Sequence, residues 1–230
     1  MKQIIYSFCL LFMLGLTGTL QAQTQNSMTE VIPFKTIDGK IIVEVIVNGE
    51  PADFVLDLAG HNALLPEAVK RLHINTKKNG SFKSYDDFVF KKVPVENVYE
   101  IETLAIGNNT FSNNLPAFIL KEEPYLRKLG VEGILNSSLF RSSVLTIDLK
   151  RKKLTITQPY RPSYIKLNYR SDFDIVTGLG AVCPISIQGK SVSFVLDTWN
   201  ENIINLTEKD FNEWSISHTK GTPQKVSDGY

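Results

Sequence analysis

Cysteine is scarce in this sequence. Cys9 and Cys183 are the two cysteines among 230 residues, and Cys9 sits in an apolar N-terminal segment. Once that segment is removed, Cys183 has no partner within the chain. A disulfide scaffold is therefore excluded, and stability has to come from a packed core. Flanked by apolar residues, Cys183 reads as a small buried hydrophobe and not as a nucleophile. Histidine is also rare: His61, His73 and His218 lie scattered, without the spacing of metal ligands, so no metal and no cofactor is expected. An excess of either charge is missing too, with 25 Lys and Arg against 24 Asp and Glu. A near-neutral chain gives no footing for nucleic acid or an acidic membrane surface as partner. No apolar run is long enough to cross a bilayer.

The longest such run, residues 4–16, follows Lys2 and ends near Ala22. Residues 1–22 read as a secretory signal, which predicts a secreted or periplasmic protein with no membrane contact after cleavage.

Beyond a polar spacer at 23–30, residues 41–47 alternate so that Ile41, Val43, Val45 and Val47 share one face of a strand. Asn48-Gly49 is a two-residue hairpin signal, and the returning strand runs to Asp57. Residues 66–72 form a short helix, with Pro66 in its first turn, Glu67 next, and Lys70 and Arg71 last. The polar stretch 77–87 reads as a loop or hairpin tip. Strands are predicted at 88–93, 98–106 and 115–120, a short helical piece at 136–140, and a hairpin of 144–148 with 153–156. Its basic turn, Lys150-Arg151-Lys152, reads as solvated. Pro159 and Pro162 mark a linker over 159–180.

The most informative feature is a repeat. Phe54-Val55-Leu56-Asp57-Leu58-Ala59-Gly60 returns 140 positions on as Phe194-Val195-Leu196-Asp197-Thr198-Trp199-Asn200. The match extends backwards without a gap, Asn48-Gly49-Glu50 over Gln188-Gly189-Lys190. After Asp197, Thr207 and Asp210 offer a capping box for a helix running to Trp214. Residues 23–158 then make one β-rich lobe, and 181–230 begin a second that stops short of the length of the first. The expectation is a fragment or an abbreviated second lobe.

These residues resemble the retropepsin-like (clan AA) aspartic proteases, and among them the secreted bacterial two-lobe aspartyl protease-like proteins. The likeness lies in the paired strand-turn-strand units ending in Asp57 and Asp197, and in the later Gly133-Ile134-Leu135 segment. It spans about residues 31–156 and 181–214. It implies a mainly β fold of acid-protease-like (pepsin/retropepsin) barrel lobes in tandem, with the second truncated. It also implies peptide or protein substrates and two Asp side chains meeting at the lobe interface. In that family a hydroxyl residue and then a glycine follow each Asp. Here Thr198 keeps the hydroxyl, Leu58 does not, and Ala59 and Trp199 stand at the glycine positions. Asn136 likewise replaces a glycine. The motifs are degenerate, although a backbone N–H at 59 or 199 still suits a bond to its Asp.

Two carboxylates in contact cannot both ionise cheaply, so they share a proton. The ionised one can take a proton from a trapped water while the protonated one bonds the scissile carbonyl. Neither a metal nor a covalent intermediate is required. The catalytic candidates are Asp57 and Asp197; Gly60, Thr198 and Tyr85 are the substrate-contact candidates. Tyr85 belongs to a predicted flap at 77–90 with Gly80 at its tip. Two other readings stay open: a catalytically inactive module that binds peptides or proteins in the same cleft, and an exported β scaffold. Each Asp then merely caps its own turn.

Overall fold

The computed structural model describes residues 28–86, 89–120, 123–158, 173–176, 180–187 and 189–199. Strands β1 (Met28–Pro33), β2 (Lys35–Ile37), β3 (Lys40–Val47), β4 (Glu50–Leu56) and β5 (Ala63–Leu64) precede helix α1 (Pro66–Arg71). A long hairpin follows, β6 (Asn75–Asp86) with β7 (Val89–Ile106), then β8 (Asn109–Ile119) and helix α2 (Pro124–Leu129). Strand β9 (Gly133–Leu135), a 3-10 turn at Ser137–Phe140, and β10 (Val144–Asp148) with β11 (Lys153–Gln158) come next. The last three strands are β12 (Asp174–Val176), β13 (Gly180–Ile187) and β14 (Lys190–Val195).

One sheet runs β2-β3-β4-β9-β5-β8-β7-β6, and a further pairing of β3 with β7 closes six of these strands into a barrel. The protein is mainly β. β1, β11 and β10 form a second sheet, and β12, β13 and β14 a third. Within the barrel β9 lies between β4 and β5, parallel to the first and antiparallel to the second. Strand β4 is thus flanked on both sides, and Phe54, Val55 and Leu56 are all fully buried. An unbroken apolar run suits a strand covered on both faces, whereas β3 alternates near its end, with Glu44 and Ile46 outward.

The β3–β4 turn is as the sequence requires: Asn48 and Gly49 both take positive φ, and Val47 faces Glu50. Asn48 does more than turn the chain. Its side-chain amide donates to the carbonyls of Leu72 and His73 at 3.0 and 3.1 Å, and its Oδ1 accepts from the Thr103 amide at 2.9 Å. It ties the end of α1 and β7 to the hairpin. Asn48→Ala removes those bonds and leaves a β-carbon at left-handed φ, so a loss of about 2–3 kcal/mol is expected in urea unfolding.

The second hairpin keeps the register of the first. Val45 pairs with Ala52, and Ile185 pairs with Val192, the same two positions 140 residues on. Each of the two hairpins delivers an Asp just past its second strand.

Several expectations need correction. Residues 77–86 are not a loop: they lie in β6, paired along their length with β7. The separate strands expected at 88–93 and 98–106 are replaced by one 18-residue strand, Val89–Ile106. Gly80 pairs with Val95 inside this ladder, so it is not a hairpin tip. Polar, turn-forming residues disguised a strand whose partner supplies the ladder, a tertiary effect on a weak local preference. The spacer at 23–30 gives its last residues to β1, and the linker at 159–180 gives three to β12. The signal segment, Pro159, Pro162, the helix expected at 207–214 and His218 lie outside the described residues.

Candidate active site

β4 ends at Leu56, and the Asp57 amide then donates to the Leu135 carbonyl of β9 at 2.8 Å. That bond carries Asp57 past the end of the sheet while keeping it against the core, where it is 8% exposed. Its Oδ1 accepts from the Ala59 amide at 3.0 Å. Asp197 repeats the arrangement, its Oδ1 accepting from the Trp199 amide at 2.7 Å, but it is solvent-exposed. Both Asp-backbone contacts survive without glycine. Ala59 does not take positive φ, whereas Gly60 does, at φ 63. Asn136 is extended, at φ −102, so it too needs no glycine.

Thr198 joins the two turns. Its hydroxyl oxygen accepts from the Leu58 amide at 3.0 Å and lies 3.1 Å from the Leu56 carbonyl, to which it donates. The same oxygen is 3.4 Å from Asp57 Oδ1. With a single proton, the hydroxyl favours the shorter contact. Leu58 offers nothing in return from its side chain, which packs into the barrel core. Its backbone is nevertheless held three ways. Its carbonyl accepts from the Ser137 hydroxyl at 2.8 Å and from the Ala181 amide at 3.2 Å, in addition to the amide bond to Thr198. The approach of β13 requires Gly180, because a β-carbon there would stand 2.0 Å from the Leu58 oxygen.

Beneath the turn lies a polar network that sequence reasoning missed. Asn136 Nδ2 donates to the Gly60 carbonyl at 2.8 Å, its amide donates to Asn62 Oδ1 at 3.0 Å, and its Oδ1 caps Ser138. Asn62 Nδ2 reaches the Pro116 carbonyl at 3.3 Å. Asn62, Asn136 and Ser137 are all buried. No local pattern marks Asn62, since its partners lie 54 and 74 positions away.

Burial is the main force on Asp57, lifting its pKa to about 6. The Ala59 amide opposes it; Asp197 pushes the same way as burial; the amide and hydroxyl of Thr198 pull down. The two carboxylates therefore sense one another. Replacing Thr198 with Val keeps the shape but strands the Leu58 amide and the Leu56 carbonyl. We expect a loss of about 1–3 kcal/mol, with Thr198→Ser near the parent; urea melts of both variants check it.

Of the remaining predicted site residues, Gly60 forms the turn whose carbonyl Asn136 holds. Tyr85 pairs through its backbone with Phe90 near the end of the β6–β7 hairpin; its side chain is outside the described residues. Cys183 is half-buried, and burial pushes its thiol up, away from the reactive thiolate. Among the described residues, no group of three His, Cys, Asp or Glu is arranged to hold a metal ion.

The chain matches no protein-family model and none of the curated proteins. Among solved structures it is similar to a retropepsin-like aspartic protease from Rickettsia conorii. That likeness has 19% sequence identity, a TM-score of 0.36, and coverage of 57% of this chain and 91% of that one.

Proposed function

We propose that this protein is an exported aspartic peptidase, hydrolysing peptide bonds with a water held between Asp57 and Asp197. The observation that carries the reading is the unequal pair: Asp57 buried, with its pKa raised to about 6, and Asp197 exposed, the two turns linked through Thr198. At mildly acid pH Asp57 keeps its proton and donates a hydrogen bond to the scissile carbonyl. Asp197 takes a proton from the water, whose oxygen adds to the carbonyl carbon as the Asp57 proton passes to the carbonyl oxygen. The resulting diol collapses when Asp197 returns its proton to the amide nitrogen and the carbon–nitrogen bond breaks, while one diol hydroxyl gives its proton back to Asp57 as the carbonyl re-forms. The apolar signal-like segment at 1–22 supports export.

A peptide-library digest with the full chain, run from pH 3 to 8 beside Asp57→Asn, tests this. Cleavage by the parent but not the variant is expected; equal cleavage by both would overturn the dyad. A second reading, a non-catalytic peptide-binding module, is favoured by Leu58, which lacks the hydroxyl that would return the Thr198 contact. It expects peptide binding that survives Asp57→Asn, with no cleavage at any pH in that range.

A further inference from the structure

Trp199 stands at a position where the resembled family has glycine, and its side chain is not loose. Lys40 Nζ donates to the Trp199 carbonyl and lies 5.3 Å from the centroid of the indole ring. Tyr125 meets the same ring edge-on, with centroids 5.6 Å apart and planes at 90°. Lys40 opens β3 and is only 5% exposed; Tyr125 lies in the first turn of α2. Lys40 belongs to a barrel strand and Tyr125 to the helix that precedes β9, while Trp199 follows the hairpin that leads to Asp197. A lysine this buried needs hydrogen-bond partners for its Nζ, and the Trp199 carbonyl is one. The indole face adds a cation–π contact, and the tyrosine adds aromatic packing.

The geometry points to a clamp. Thr198 fixes one side of the Asp197 turn to Leu56 and Leu58, and Leu58 has no hydroxyl with which to return the contact. We propose that Lys40 and Tyr125 are positioning residues. They hold the Trp199 side of that turn against β3 and α2 and so keep Asp197 beside Asp57. The clamp is independent of catalysis; its consequence for turnover rests on the peptidase reading above.

The experiment uses the full chain with Lys40→Met, Tyr125→Leu and the conservative Tyr125→Phe. The Trp199 amide, donated to Asp197, is followed by hydrogen–deuterium exchange of the peptide spanning residues 197–200. Exchange about tenfold faster or more is expected in Lys40→Met and Tyr125→Leu, and near-parent exchange in Tyr125→Phe. Where the parent cleaves peptides, kcat should drop on the order of ten- to a hundredfold with KM little changed. Unchanged exchange in both Lys40→Met and Tyr125→Leu overturns the clamp. Faster exchange with parental kcat overturns the positioning role. If the parent cleaves nothing, the peptidase reading fails and exchange alone decides the clamp.

Discussion

At pH 5 the Asp57→Asn protein is expected to cleave peptides at least about a thousandfold more slowly than the parent, with its fold intact. General acid–base groups typically contribute 10²–10⁴-fold, and this substitution removes the group that holds the shared proton. The amide is close in shape to the carboxyl, and its oxygen can still accept from the Ala59 amide that now bonds Asp57 Oδ1. Folding should therefore survive while chemistry stops. Asp197→Asn should be as damaging, because the water then loses its base. In the parent, activity should decline as pH rises through about 6, where Asp57 gives up its proton. The measured value belongs to the coupled pair and not to one side chain. Steady-state cleavage of a library-derived peptide between pH 3 and 8 measures all three. Parental rates in Asp57→Asn would remove Asp57 from the mechanism.

The second large effect concerns stability and needs no substrate. In the unfolded chain Asp57 titrates near the ordinary aspartate value of about 3.9; in the fold it titrates near 6. Between those values the folded state binds more protons than the unfolded one. Stability falls with rising pH across that window and levels off above it. Full ionisation of the buried carboxyl costs about 3 kcal/mol relative to acid conditions. Asparagine carries no such penalty. Asp57→Asn should thus be more stable than the parent at pH 8, by up to about 3 kcal/mol, and the gain should vanish near pH 3. Urea midpoints for both proteins at the two pH values decide it. A gain independent of pH would mean that burial does not set the Asp57 titration. Together the two results describe a residue kept against stability, as expected of a group retained for chemistry.

Much of the architecture was legible before any coordinates. The alternation at 41–47, the Asn48-Gly49 turn and the continuous run Phe54-Val55-Leu56 are local signals of a hairpin with one heavily buried strand. The structure places them so. The 140-residue repeat likewise foretold a second hairpin in the same register. Helix α1 followed from Pro66 and its charge order. Helix α2 had comparable marks, Pro124 at its start and Gly130 in the left-handed position at its end, but it was not expected from the sequence. Strand β6 defeated local reading because polar residues are held extended by pairing with β7.

The site divides in the same way. The two carboxylates and their duplicated settings are properties of the linear sequence, because a strand ending in Asp before a tight turn is a local pattern. The meaning of the changed residues around them is not local. Leu58, Ala59, Trp199 and Asn136 look like losses when set against a motif. In the fold, Leu58 is fixed through its backbone, Ala59 needs no left-handed φ, and Asn136 braces the Gly60 carbonyl. Lys40 and Tyr125 gain a part only because Trp199 reaches them across 159 and 74 positions of chain. Which residues carry acid groups, and where the strands run, follows from short-range pattern. Which groups lose water, and which turns brace one another, follows from contacts between distant segments, and these set the proton affinity of Asp57.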